Sequence, residues 1–149
     1  MILRFQSFVG GISSCYKYIQ HIKSIEMAEF GLKGAHVMCL FFLNQHPQGL
    51  TAAALSQLCA EDKAAISRTI ASLQKDGLIA ACDKKYRAIL QLTQEGRQVA
   101  HQVNHLIEQW VDFGGSGISE DDRAVFYRVL DTIGTNLKTN IENNERKFV

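Results

Sequence analysis

The residues best placed to do chemistry are cations set among small side chains. From Lys63 the chain reads Lys63-Ala64-Ala65-Ile66-Ser67-Arg68-Thr69-Ile70-Ala71-Ser72-Leu73-Gln74-Lys75. Ile66, Ile70 and Leu73 recur at i, i+4, i+7, the spacing of one inner helical face. Lys63, Ala64, Ser67, Arg68, Ala71, Ser72 and Lys75 lie on the other side. Alanines and serines leave a backbone bare enough to enter the major groove of a duplex, and an arginine there can bond guanine O6 and N7 together. A merely solvated face more commonly carries Glu/Lys pairs at i, i+4, and this one has none. A second cationic cluster follows, with Lys84, Lys85 and Arg87 inside Asp83-Lys84-Lys85-Tyr86-Arg87. At the tip of a hairpin it would suit the narrow, electronegative minor groove. Any solvated hairpin can carry a charged turn, so this cluster gains its meaning from the helix before it.

Other residues offer different chemistry. His101 and His105 are i, i+4 on one helix, a metal-ligand spacing, and His36 could supply a third nitrogen with Glu26 or Glu29 as a carboxylate. The competing reading is a solvated pair on a polar face. Cys15 stands beside Tyr16, but the sequence around it shows no arrangement that would single it out as a reactive thiol. Tyr16, Phe30, Phe41 and Trp110 could line an apolar pocket for a small effector, although aromatic residues at helical spacing also build ordinary cores. No nucleophile–base–acid set, phosphate loop or catalytic carboxylate pair can be assembled, so no enzyme and no cofactor are expected. Gly114-Gly115-Ser116-Gly117 lacks the strand and lysine of a phosphate-binding loop and reads as a linker.

The elements that must position these residues follow from pattern. The 149 residues amount to one domain's worth of chain, 46% hydrophobic and 21% charged, with a net charge of only +1, so any nucleic-acid contact must come from local arrangement. Phe5, Phe8, Ile12, Cys15, Ile19 and Ile22 alternate by three and four, as on a helix that packs along another helix. Gly10-Gly11 interrupts that pattern, so a start near Ser13 is expected. A helix over 34–44 is apolar nearly all round and therefore buried. Thr51 caps a short helix to Leu58, residues 59–62 turn, and the Lys63–Lys75 helix stops at Gly77. Strands over 78–82 and 86–92 form a hairpin. Thr93 caps a long helix to about Phe113, with Val99, Val103, Ile107 and Trp110 as its stripe. A last helix after Ser119 carries Val125, Phe126, Val129, Leu130, Ile133, Leu137 and Ile141. The four cysteines Cys15, Cys39, Cys59 and Cys82 form no disulfide framework, with Cys39 and Cys59 in apolar helical settings. The opening residues lack a basic region followed by an apolar stretch, and the run Val37–Leu43 is far short of the ~20 residues a membrane span needs, so no membrane contact and a cytoplasmic location are expected.

Residues 50–96 resemble the DNA-binding core of MarR-family regulators. The resemblance rests on Leu50-Thr51, on Asp62-Lys63-Ala64-Ala65-Ile66-Ser67-Arg68-Thr69-Ile70, on Leu73-Gln74-Lys75-Asp76-Gly77-Leu78-Ile79, and on Arg87-Ala88-Ile89-Leu90-Gln91-Leu92-Thr93-Gln94-Glu95-Gly96. It extends weakly to Leu32 and to Ile118-Ser119-Glu120-Asp121-Asp122-Arg123. The wing departs from the family pattern: it is shorter, and Lys85 and Tyr86 precede Arg87 where an Asp commonly stands two residues before the wing arginine.

The resemblance implies a mainly α fold with a small β-hairpin wing. A winged helix-turn-helix core (32–96) would lie between an N-terminal dimerisation helix (1–31) and C-terminal dimerisation helices (97–149). It implies a bacterial homodimer that binds double-stranded DNA as a repressor at a pseudo-palindromic operator and responds to a small-molecule effector. Half-sites would lie about one helical turn, ~34 Å, apart. Ile12, Ile19, Ile22, Phe126, Leu130, Ile133 and Leu137 would make the dimer. Alternatives within the same fold are a zinc-responsive regulator, since one branch of the family uses histidines on the corresponding helices in another register, and a redox-responsive one, since another branch has a reactive first-helix cysteine. A winged-helix module for protein–protein contact is the remaining alternative.

Overall fold

The computed structural model describes residues 2–82 and 88–145. Among them, six helices and one small sheet follow in order: α1 (Ile2–Ala28), α2 (His36–Gln45), α3 (Ala52–Cys59), α4 (Lys63–Lys75), β1 (Ile79–Ala81), β2 (Leu90–Leu92), α5 (Gln94–Gly114) and α6 (Glu120–Glu145). The fold is mainly α with a hairpin wing, as the pattern implies. The chain divides into two compact units, Met1–Glu108 and Gln109–Val149, with α5 crossing the boundary and α1 grouped with the helix-turn-helix.

The core of the first unit is built where the inner faces of α2, α3 and α4 meet. Val37, Cys39, Leu40 and Leu43 of α2, Leu55 of α3, and Ile66, Ile70 and Leu73 of α4 are all buried. Leu78, Ile79, Leu90 and Leu92 close the core from the wing, and Ala100 and Val103 close it from α5. Each fully buried Leu, Ile or Val contributes about 1.5–3 kcal/mol relative to exposure, so the helix-turn-helix is held mainly by this shared centre.

The wing is an antiparallel pair with Ile79 opposite Leu92, Ala80 opposite Gln91 and Ala81 opposite Leu90. Its regular ladder is shorter than the expected strands over 78–82 and 86–92. A connection the sequence did not announce widens it. Leu50, just before α3, bridges Leu90, its N–H donating to Leu90 O at 3.0 Å and its carbonyl accepting from Leu90 N at 2.9 Å. The wing is thereby bonded to the entrance of the helix-turn-helix.

Two further features correct the sequence reading. α1 runs unbroken through Gly10 and Gly11 instead of starting near Ser13. Glycine costs about 1 kcal/mol relative to alanine in a helix interior, which weakens α1 without being enough to end it. α6 is 26 residues long, and none of its described side chains is buried within the single chain. Its start follows the expected capping pattern: Ser119 Oγ accepts from Asp122 N at 3.1 Å and donates to Asp122 Oδ2 at 2.7 Å.

Candidate nucleic-acid interface

The helix-turn-helix is fixed by caps and by one unusual backbone conformation. Thr51 Oγ1 accepts from Ala54 N at 3.2 Å and starts α3. Asp62 Oδ1 accepts from Ala65 N at 2.7 Å and starts α4. Between them Ala60 takes a left-handed conformation, φ 53°, a strained choice for a residue with a Cβ. Ser56 secures the turn from both sides, its hydroxyl donating to Glu61 O at 2.6 Å and its carbonyl accepting from Glu61 N at 3.1 Å.

This framework presents α4 with its two sides sharply separated. Ile66, Thr69, Ile70 and Leu73 face inward, whereas Lys63, Ala64, Ser67, Arg68, Ala71 and Lys75 are exposed and Ser72 is half-buried. Arg68 has no hydrogen-bond or ion-pair partner among the described residues. The exposed side is thus small, hydroxyl-bearing and cationic, able to donate to acceptors on an opposing surface while its helix backbone approaches closely.

The wing is braced against the same helix. Thr93 Oγ1 donates to Gly77 O at 2.7 Å and accepts from Gly96 N at 3.0 Å, tying the end of α4 to the start of α5. Arg97 Nη1 donates to Leu92 O at 2.9 Å. A side-chain Cβ at Gly96 would overlap the carbonyl of Leu78, so only glycine permits α5 to pass this close to the wing. Gln91 Nε2 donates to Pro47 O at 3.2 Å and Gln48 O at 3.0 Å, holding β2 to the loop before α3. Gln91 and Arg97 were not singled out from the sequence: a polar residue inside a strand or early helix gives no sign of which carbonyl it will reach. Lys84, Lys85 and Arg87, the expected wing contacts, lie outside the described residues.

The remaining candidates are distributed differently from expectation. His36 is buried, and its Nδ1 accepts from Lys33 N at 3.2 Å, while His101 and His105 are exposed on α5. Among the described residues no group of three or more His, Cys, Asp or Glu gathers in a metal-binding arrangement, so one chain does not assemble His36, His101 and His105, the alternative metal ligands, into a centre. The physical reason is that His36 turns into the core and spends a ring nitrogen on backbone. Burial foremost holds the His36 pKa below its ordinary value, with Lys33 adding to the effect and Asp76 opposing it.

Of the aromatic candidates, Tyr16 is exposed and Phe30 and Phe41 are half-buried in the first unit, while Trp110 is half-buried and belongs to the second. A recess of about 80 Å³ lies elsewhere, lined by Lys23, Met38, Cys59, Glu61 and Thr69 among others and by none of those aromatics. Burial holds the Lys23 ammonium pKa below its ordinary value, partly offset by Glu61 and Cys59. Cys15 is exposed. Ile12, Ile19, Ile22, Phe126, Leu130 and Leu137 are exposed in the single chain, and Ile133 is half-buried.

Residues 30–85 match the MarR family. No curated protein matches the sequence. A MarR-family regulator from Listeria monocytogenes, solved with a 26mer DNA, superposes with TM-score 0.81 at 21% identity over 89% of each chain. A MarR protein from Peptoclostridium difficile gives TM-score 0.80 at 18% identity, over 90% of this chain and 89% of that one. MepR from S. aureus, in a DNA-binding conformation, gives TM-score 0.78 at 16% identity, over 87% of this chain and 98% of the other. At such identities the superpositions establish the fold, and the matched segment, which contains α2, α3, α4 and β1, supplies the sequence link. The chain thus has the winged helix-turn-helix fold of solved MarR-family proteins, with a sequence match to the MarR family over residues 30–85.

Proposed function

We propose that the chain is a sequence-specific regulator of transcription that binds double-stranded DNA as a homodimer. The observation that carries this reading is the two-sidedness of α4: its inner face is the centre of the core, and its small, cationic outer face is uncovered. Ser67, Arg68, Ala64 and Ser72 read base edges in the major groove, Lys63 and Lys75 meet phosphates, and Lys84, Lys85 and Arg87 follow the backbone or the minor groove. The DNA held by the Listeria relative supports the same use of this fold.

The dimer is argued from surface that a single chain leaves open. α1 exposes Ile12, Ile19 and Ile22, and α6 exposes Phe126, Leu130 and Leu137. Long helices in water depend on a packed apolar face, and stripes of this size mark interaction surfaces. A second copy covers them, and two-fold symmetry then makes the operator a pseudo-palindrome. We place the protein in the cytoplasm, where it acts by binding and not by catalysis, as a repressor whose DNA affinity changes with a small-molecule effector. No helix among the described residues is long and apolar enough to cross a membrane.

Selection of bound duplexes from a random pool, followed by titration at rising salt, tests the proposal. A pseudo-palindromic consensus should emerge, and log K should fall linearly with log salt because phosphate contacts release counterions. No enriched sequence, or binding indifferent to salt, would favour the protein–protein module instead.

A further inference from the structure

Two cysteines twenty positions apart in sequence meet inside the helix-turn-helix. Cys39 Sγ on α2 and Cys59 Sγ at the end of α3 stand 3.9 Å apart, and both thiols are free. Their surroundings are unequal. Cys39 is 1% exposed, whereas Cys59 is half-buried and lines the recess shared with Lys23, Glu61 and Thr69. One sulfur can be reached by a small molecule and the other is sealed directly behind it.

We propose that Cys39 and Cys59 form an oxidation site, at which a hydroperoxide entering the recess converts the two thiols into an intrachain disulfide joining α2 to α3. The Cys59 sulfur attacks the outer oxygen of the hydroperoxide. An S–O bond forms, the O–O bond breaks, and the alcohol (water, for hydrogen peroxide) leaves with the proton Cys59 gave up. The Cys39 sulfur then attacks the resulting sulfenic acid, the S–S bond replaces S–O, and the departing oxygen takes the Cys39 proton as water. The two thiols lose two electrons, which reduce one peroxide.

The electrostatics divide the roles in the same sense. A hydrogen bond from Cys39 favours the thiolate of Cys59 and holds its pKa below the ordinary thiol range; Lys23 also favours the thiolate, while burial and Glu61 oppose it. Giving that hydrogen bond, together with burial, pushes the Cys39 pKa up. Cys59 is therefore the attacking sulfur and Cys39 the resolving one.

The consequence reaches α4. A disulfide needs the sulfurs about 2.05 Å apart, so the present 3.9 Å separation must shorten by roughly 1.9 Å. Cys59 leads directly through Ala60, at φ 53°, to Glu61 and the α4 cap Asp62. Drawing the end of α3 toward α2 thus displaces the turn that aims α4. This last step rests on the DNA-binding reading; formation of the disulfide does not.

The test uses the full chain with Cys15→Ser and Cys82→Ser, treated with hydrogen peroxide and mapped by mass spectrometry without reductant. A crosslink between the Cys39 and Cys59 peptides, reversed by dithiothreitol, is expected. Cys39→Ala should leave a dimedone-trappable sulfenic acid on Cys59, and Cys59→Ser, at a half-buried position, should leave Cys39 unoxidised; circular dichroism checks that both variants fold. The oxidised chain should bind its selected duplex at least tenfold more weakly, with full recovery on reduction. Absence of the crosslink under excess peroxide overturns the site, and this mapping needs neither variant. A crosslink without change in DNA binding overturns the link to α4. A crosslink in a chain whose reduced form binds no duplex leaves the oxidation site standing and removes the DNA-binding reading.

Discussion

His36 folds inward at the start of α2, with its Nδ1 occupied by the Lys33 N–H. Because burial lowers its pKa in the folded chain, the unfolded chain takes up a proton first as pH falls through the ordinary value of 6.5. Stability contributed by neutral His36 is therefore full above pH 6.5 and declines as the pH drops below it. Thermal denaturation between pH 8 and pH 5 should show this decline, and His36→Gln should flatten it; an unchanged slope would deny His36 the role. Single residues were unevenly legible in the sequence. The outer face of α4 could be read because helical spacing separates it from Ile66, Ile70 and Leu73. The engagement of His36, the Cys39–Cys59 approach and the reach of Gln91 could not, because each depends on atoms brought together from distant parts of the chain.

At the scale of elements, the bounds of α4 were legible to the residue and those of α3 nearly so, because caps and stops are local chemistry: Thr51 and Thr93 accept the amides expected of them, and Gly77 takes φ 70°. The bridge from Leu50 to Leu90 was not legible, since pairing across forty residues has no periodicity to betray it. The junction of wing and α5 offers the sharpest element-level test. Gly96 lies against the Leu78 carbonyl, so Gly96→Ala must push α5 from β1. A loss of about 1–3 kcal/mol in denaturant-measured stability is expected from such overpacking, with weaker duplex binding as the wing loosens. A neutral result would mean that α5 does not dock against the Leu78 carbonyl.

The whole molecule carries a net charge of only +1, so the DNA binding we propose requires its cations to act locally, on the face of α4 and in the wing cluster. Apolar surface is concentrated as well, on α1 and α6. Sedimentation equilibrium should return twice the 16.7 kDa chain mass, and Leu130→Asp with Leu137→Asp should shift it toward a single chain with loss of operator binding. A wild-type monomer at micromolar concentration would contradict the dimer. The long apolar stripes announced these helices in the sequence, whereas the continuity of α1 through Gly10-Gly11 was not legible there, because two glycines weaken a helix without dictating where it ends.

The most direct measurement concerns Arg68. Wild type and Arg68→Ala are titrated, at one salt concentration, against every single-base-pair variant of the selected duplex. The variant should lose about 1–3 kcal/mol of discrimination at one symmetric pair of positions and keep the wild-type preferences elsewhere. If Arg68→Ala retains the full wild-type base preferences and affinity, the exposed face of α4 does not read DNA.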